Sequence, residues 1–274
     1  MNYTERDIQI ALQKLGVSSG SNIFIHSNLT LFGVLKNCKD RHEFLRIWLG
    51  AVLSVIGTTG TVIFPTFSYS ATTGKIFDPS TYDSPMGILS EALFKCSNSV
   101  RTWDPSYSFG AIGPKSHELL ECDVGNSFSR KSGFGFLHRE DFSIVCFNHI
   151  GTTFLHYIER CLNVDYRFDK KFAARILHED KVFNTASTVY VRYLSDPNLA
   201  HNPYQYYQDG KKEGLIRSVN LGGGKINIAQ AQDIFDFASR KIMSEKYYLT
   251  KAAYLKNFTP KIRSEKTEVD LWKN

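Results

Sequence analysis

Three short apolar runs, SNIFIH at 21 to 26, GTVIFPTF at 60 to 67 and SIVCF at 143 to 147, alternate along the chain with segments of helical period. Each run has the length and composition of a buried strand. Between the strands, Ile8, Ala11, Leu12 and Leu15 share one helix face, and Phe44, Trp48, Ala51, Val52 and Val55 share another. The first helix has Thr4 as N-cap with Asp7 three residues on and Gly16 as a stop; the second follows Asp40 and ends at Gly57. Strands interleaved with amphipathic helices predict a layered α/β sheet with helices on both faces. With 274 residues, 42% of them hydrophobic, the chain can bury a full core without cross-links. We expect one domain over residues 1 to 274, with 251 to 274 as a solvated, mixed-charge closing segment.

Several function classes are disfavoured at once. The five cysteines, Cys38, Cys96, Cys122, Cys146 and Cys161, are odd in number, far apart and without a C-x-x-C pair, as expected of a reduced, cytoplasmic protein. No apolar run approaches a membrane span; WLGAVLSVIG at 48 to 57 is about half of one. A net charge of +6 favours anionic ligands, but the charges are scattered and no basic block or RNA-binding aromatic motif appears, so no nucleic-acid partner is expected. The chain lacks a P-loop, a G-x-G-x-x-G behind a strand, H-E-x-x-H and G-x-S-x-G; NLGGGKIN at 220 to 227 reads as a turn. The histidines do not fall at zinc spacing, and no metal is expected.

Past Gly57, Pro65 interrupts pairing near the end of its strand, and residues 68 to 87 form a long polar loop before a short helix from Ile88 to Phe94. The SIVCF strand turns through NHIG into GTTFLHYIERC, residues 151 to 161. Beyond residue 180 the pattern weakens to a strand TVYVRYL at 188 to 194, turn clusters, and a helix after Ile228.

In GTTFLHYIERC, Thr153, His156 and Glu159 recur every third position, opposite Phe154, Ile158 and Leu162. A solvated helix face explains that stripe. So does chemistry: Glu159 can take the Nδ1 proton of His156 and leave the other nitrogen free as a base, and Thr153 can donate to an oxyanion. The start of the helix adds free backbone N–H groups and a positive dipole end that keeps an imidazole neutral. His26 and Ser27 end a buried strand, where α/β sheets bind ligands. The loop VRTWDPSYSFGAIG at 100 to 113 carries Arg101, Asp104, Ser106 and Ser108.

Taken together, these segments resemble the aminoglycoside 3-N-acetyltransferase (antibiotic N-acetyltransferase) superfamily, which does not share the GNAT fold. The family's H-S-S-L-x-x-x-G is similar to His26, Ser27, Asn28, Leu29 and Gly33, and its G-T-L-V-x-P-T-F to GTVIFPTF. Its S-P-x-G-x-[LF]-x-E looks like SPMGILSE at 84 to 91, its R-S-x-H-P-x-x-S like RTWDPSYS at 101 to 108, and its T-x-x-H-x-x-E matches Thr153, His156 and Glu159. The resemblance implies a three-layer α/β/α fold around a central mixed sheet, and acetyl-CoA-dependent transfer to a primary amine on a sugar ring. It implies His156 as general base, Glu159 orienting it and Thr153 near the thioester oxygen. His26, Ser27, Asn28, Leu29, Thr66, Phe67, Arg101, Ser106 and Ser108 would then lie along the acyl donor.

Asn28 replaces the family's second serine and Asp104 its histidine, while KSGFGFLHRED at 131 to 141 follows the family's G-S-P loop only loosely. NHIGTTFLHYIERCLNVDYRFDK looks closer to members acting in surface-polysaccharide (O-antigen or capsule) biosynthesis, whose acceptor, an amino sugar on dTDP or UDP, suits the basic charge. That acceptor is the first expectation, an aminoglycoside the alternative, and a non-enzymatic basic binding module the third reading. Asp83, Glu91, Asp104 and Asn148 are candidates to hold the sugar, Tyr69 and Tyr82 to stack on it, and Arg101, Lys131 and Arg167 to meet phosphates. A homodimer is the default expectation.

Overall fold

The computed structural model describes residues 1–265 and 267–269. A seven-stranded sheet is built from β1 (Asn22–Ser27), β2 (Thr61–Pro65), β3 (Val100–Arg101), β4 (Phe109–Ile112) and β5 (Ser143–Phe147). A long hairpin, β6 (Arg167–His178) and β7 (Lys181–Arg192), leaves this sheet before β8 (Arg217–Leu221) and β9 (Gly224–Gln230) complete it. The order across the sheet is β8-β9-β5-β1-β2-β4-β3. The central strand β1 is parallel to β2 and β5, and the outer pairs are antiparallel, which makes the sheet mixed.

Period-two alternation divides the side chains between two layers. Ile23, Ile25, Val62, Phe64, Val145 and Phe147 bury one face against α1 (Glu5–Lys14), α2 (Arg41–Ile56) and α3 (Ile88–Phe94). Phe24, Ile63, Phe109, Ala111, Ile144 and Cys146 bury the other against α4 (Gly133–Arg139), α5 (Phe154–Cys161) and α6 (Ala231–Ser244). The result is the three-layer α/β/α arrangement. Local signals act as the sequence predicts: Thr4 and Asp7 form a capping box on α1, and Asp40 caps α2, which stops at Gly57 with φ of 65°. In NLGGGKIN, Gly222 turns β8 into β9 at φ of 54°, and a Cβ there would stand 2.1 Å from the Phe32 carbonyl oxygen, so only glycine fits.

Two expectations need correction. The weak pattern around residue 180 hides the longest hairpin of the fold, in which twelve residues of β6 pair with twelve of β7. Its turn uses Glu179 and Asp180 at φ of 47° and 59°, residues without the usual Asn-Gly signal. The loop 68 to 87 contains a helical turn, Ser70–Thr73, and a strand, Ile76–Phe77, paired with β6. The closing segment is mostly exposed along its described length and is held at a few points. Ala252 is buried, Lys261 N donates to Asp196, and Glu268–Val269 pairs with β6; Lys266 and residues 270–274 lie outside the described residues. Among the described residues no helix is long and apolar enough to cross a membrane.

Candidate active site

The site forms where β1 and β5, side by side, reach their carboxyl ends; His26 lies opposite Cys146 and Ser27 opposite Phe147. Beyond β5 the chain reverses at Asn148, in the left-handed region at φ of 51°. The Asn148 side chain clasps the turn: its Oδ1 accepts from Lys225 N at 2.7 Å and its Nδ2 donates to the Asn28 carbonyl at 3.2 Å. Thr152 then opens α5, its hydroxyl accepting from Phe154 N at 3.2 Å and sharing a 3.0 Å hydrogen bond with His26 Nε2. The loop is thereby fixed to the end of β1, and α5 is aimed across the sheet edge.

On α5 the Thr153/His156/Glu159 stripe is not a solvated face. Glu159 is fully buried, whereas the His156 side chain keeps 19% of its surface. Glu159 Oε2 lies 2.6 Å from His156 Nδ1, and Oε1 accepts from the Tyr166 hydroxyl at 2.9 Å. Arg167 Nε stands 2.8 Å from Oε2, although its N–H is not directed at that oxygen, so the attraction is between charges rather than through an aligned hydrogen bond. Burial alone would push the Glu159 carboxyl up. Arg167 and His156 more than reverse this and hold it down to about 2. An ionised carboxylate can only accept, so the proton of the shared hydrogen bond is on Nδ1, and Nε2 of His156 carries a lone pair. Burial, then the Arg167 charge, lowers the His156 pKa against the pull of Glu159, so the ring is neutral near pH 7.

His156 opens onto a cavity of ≈ 420 Å³ that is also lined by Thr72, Tyr107, Arg167, Lys170, Tyr190, Arg192, His201 and Glu265. A second cleft, ≈ 410 Å³, is lined by His26, Ser27, Asn28 and Leu29 from the end of β1, by Pro65 from β2, and by Met86, Ile88 and His149. Sequence reading missed His201, Tyr166 and Thr152. His201 lies in a turn cluster more than forty residues from the stripe, and no local spacing signals it.

Other expected site residues are placed elsewhere. Thr66, Phe67, Ser106 and Ser108 are fully buried and Arg101 nearly so. Arg101 Nε donates to the hydroxyls of Thr66 and Ser108, its Nη2 donates to the Thr66 carbonyl, and the Thr66 and Ser108 hydroxyls share a 3.0 Å hydrogen bond. This network knits β2 to β3 and β4 and leaves Arg101 no free donor for a phosphate. Ser106 is bonded to Ser187 of β7. Asp104 is a turn former, accepting from Ser106 N and Tyr107 N, and burial pushes it up to about 6. Glu91 sits on the outside of α3, paired with Lys95 and Arg41. Asn148 is committed to its clasp, and Arg167 stands behind the Glu159 carboxylate. Asp83 pairs with Arg101 at 3.3 Å, Tyr82 donates to the Gly87 carbonyl, and Tyr69 packs on Phe67 and Tyr107. Lys131 is exposed and lines neither the His156 cavity nor the second cleft.

The helix start also differs from expectation. Phe154 N is held by Thr152, while Leu155 N and His156 N bond to the Thr152 and Thr153 carbonyls, so these three amides are not available to an oxyanion. The Thr153 hydroxyl caps no backbone amide and the residue is half-buried.

His26 and His201 are pushed down to about 3, by burial first and then by a neighbouring imidazole, and His156 is lowered as well. As pH falls below the ordinary histidine value of about 6.5, the unfolded chain takes up these protons and the native protein does not. Each such histidine therefore removes up to about 1.4 kcal/mol of stability per pH unit until its native pKa is reached. Asp104 acts oppositely between about 6 and its ordinary value, because there the native state binds the extra proton. The urea midpoint is expected to fall steadily from pH 7 to pH 5; a flat midpoint would contradict this burial pattern.

A family model described as aminoglycoside 3-N-acetyltransferase matches residues 24–243, most of the chain and all of the site residues above except Glu265. The chain belongs to this family. An aminoglycoside N(3)-acetyltransferase III of Salmonella sp is 28% identical over 137 residues, 43% of this chain and 46% of that protein. The corresponding enzyme of Acinetobacter baumannii is 26% identical over 149 residues, 47% of this chain and 50% of its own. The chain thus spans about half the length of the curated relatives it matches. Among solved structures, sisomicin-bound AAC-VIa superposes with a TM-score of 0.76 at 18% identity, over 89% of this chain and 99% of its own. AAC-IIIb in its binary complex with CoASH gives 0.73 at 17% identity, over 95% and 100%. At that identity the likeness is one of fold.

Proposed function

We propose that this family member is an acetyl-CoA-dependent N-acetyltransferase that acts on an amine carried by a sugar ring. The observation that carries the reading is the neutral His156 imidazole, oriented by a buried carboxylate and open to a cavity of ≈ 420 Å³. An ammonium nitrogen has no lone pair, so the acceptor first loses its extra proton. The free amine then forms the C–N bond to the thioester carbonyl carbon and yields a second proton to His156 Nε2. The C–S bond breaks, and CoA leaves as thiolate and recovers that proton from the imidazolium. Glu159 steadies the transient positive charge, as the carboxylate does in hydrolytic triads. Thr153 is the side-chain donor suited to the oxyanion, a contribution of about 3 to 4 kcal/mol for one good donor. No acyl-enzyme and no cysteine enter the scheme. The cleft beside Ser27, Asn28 and Leu29, apolar at Pro65 and Met86, suits a pantetheine arm.

The relatives are named for acetylating aminoglycosides, and this makes an aminoglycoside the better supported acceptor, ahead of the nucleotide-linked amino sugar expected from sequence. One observation keeps the latter as a second reading. With Arg167 offset by Glu159 and Lys170 facing Glu265, Arg192 is the one cation left over on the described lining of the His156 cavity, and a lining that is not acidic suits an anionic acceptor better than a polycation. Thiol release from acetyl-CoA tests both. Turnover with sisomicin supports the first, turnover confined to a UDP- or dTDP-linked amino sugar supports the second, and no thiol release with any amine rejects the transferase.

A further inference from the structure

Beside His156, on the wall of the same cavity, stands a second imidazole to which no role has yet been given. The rings of His156 and His201 meet edge to face at 4.6 Å between centroids, and both line the cavity. The His201 backbone is fixed by its bridge to Thr250 and by Asn202 N donating to the Leu249 carbonyl. Two residues on, Pro203 packs on Gly151, where a Cβ would stand 2.7 Å from the proline ring, so the His201 segment rests directly on the loop that opens α5. Within the ring, Nδ1 is sealed from solvent without a well-aligned hydrogen bond, and the Leu249 backbone lies close to the ring. Nδ1 is the sealed nitrogen of a ring that lines the cavity, so Nε2 is the nitrogen facing the cavity.

A histidine in this place has a bland role, filling space between α5 and the segment at 249–250, and Phe or Leu would serve that role as well. An apolar side chain would seal no nitrogen there, so a purely structural role does not call for histidine. A metal centre is the other candidate, since ligand atoms of His156, Glu159 and His201 lie within 4.8 Å of one another. Arg167, Tyr166 and His156 already occupy the Glu159 oxygens, and the guanidinium opposes a cation there.

We infer that His201 is an acceptor-binding residue of the transfer, its Nε2 accepting the amine N–H that remains in the product amide while His156 Nε2 takes the proton that leaves. The attacking nitrogen of a primary amine bears two hydrogens, and two neutral imidazoles in ring contact supply two acceptors. With both hydrogens engaged, the nitrogen lone pair is confined to one direction, away from both rings. His201 thereby orients the nucleophile and makes no bond of its own. The inference rests on the acetyltransferase reading above.

The test compares wild type, His201→Phe and His201→Gln by thiol release from acetyl-CoA with sisomicin and with a UDP-linked amino sugar. For whichever acceptor wild type uses, His201→Phe is expected to raise the acceptor KM at least about tenfold, or lower kcat as much, with the KM for acetyl-CoA within about twofold. Gln, whose amide oxygen can reach the position of Nε2, is expected to recover most of the loss. Acceptor kinetics in His201→Phe equal to wild type would overturn the inference while leaving the transferase intact. Parallel loss of acetyl-CoA and acceptor binding in both variants, with a lowered melting temperature, would reduce His201 to packing and overturn it too. If wild type releases no thiol with any amine, the reading beneath it fails and the inference fails with it.

Discussion

His156→Ala is expected to lower kcat for acetyl transfer by about 10²- to 10⁴-fold, the range for loss of a positioned general base. The KM for acetyl-CoA should stay within about twofold of wild type. The separation follows from geometry: His156 opens on the cavity with Arg167, Lys170 and His201, whereas the cleft suited to pantetheine is lined by residues of the β1 end and by Met86 and Ile88. A small side chain is tolerated because one edge of the ring already faces open space. Glu159 keeps Arg167 and Tyr166 as partners in the variant, so no bare charge is created. Steady-state thiol release at saturating acetyl-CoA gives the comparison. A kcat within about threefold of wild type would remove His156 from the chemistry, since even weak general-base catalysis exceeds that factor.

Arg167→Met is expected to destabilise the protein by about 3–5 kcal/mol, the cost of stripping the counter-charge from a buried ion. The Glu159 and Arg167 side chains are 0% and 5% exposed, so solvent does not soften the change. The carboxylate would keep only Tyr166 and His156, both uncharged near neutral pH, and would be drawn toward protonation. His156, released from the Arg167 field, would hold a proton more readily, since that field is among the causes of its lowered pKa. The acid limb of kcat should therefore move to higher pH in this variant. The double variant Arg167→Met, Glu159→Gln removes both charges together and should regain part of the lost stability. Chemical denaturation of the three proteins measures this; equal stability of wild type and Arg167→Met would show that the buried pair carries no such energy.

What the sequence disclosed follows the range of its signals. Buried strands, capped helices and the i, i+3 spacing of His156 and Glu159 are local patterns, and they placed the sheet centre, the helices and the pair. Of the hairpin β6–β7 only the end of the second strand, within TVYVRYL, is legible, because the Glu179-Asp180 turn lacks turn-forming composition and only one face of the hairpin is well buried. The family resemblance implies that Thr66, Arg101, Ser106 and Ser108 lie along the acyl donor. Thr66, Arg101 and Ser108 are spent on one another where β2, β4 and β3 adjoin, and Ser106 on Ser187 of β7, pairings that only the sheet order and the hairpin's position reveal. His201 and Tyr166 reach the site through tertiary packing alone. Arg167 was read as a phosphate contact from its charge; only its burial against Glu159 changes that reading.

The pH dependence of kcat, followed by thiol release with acetyl-CoA and the acceptor both saturating, tests the neutral base most directly. The arrangement of His156, Glu159 and Arg167 predicts a rate that is level through pH 7 and declines only below the ordinary imidazole value of about 6.5, with His156→Ala removing that limb. A decline already under way above pH 7, or one that persists unchanged without His156, would contradict it.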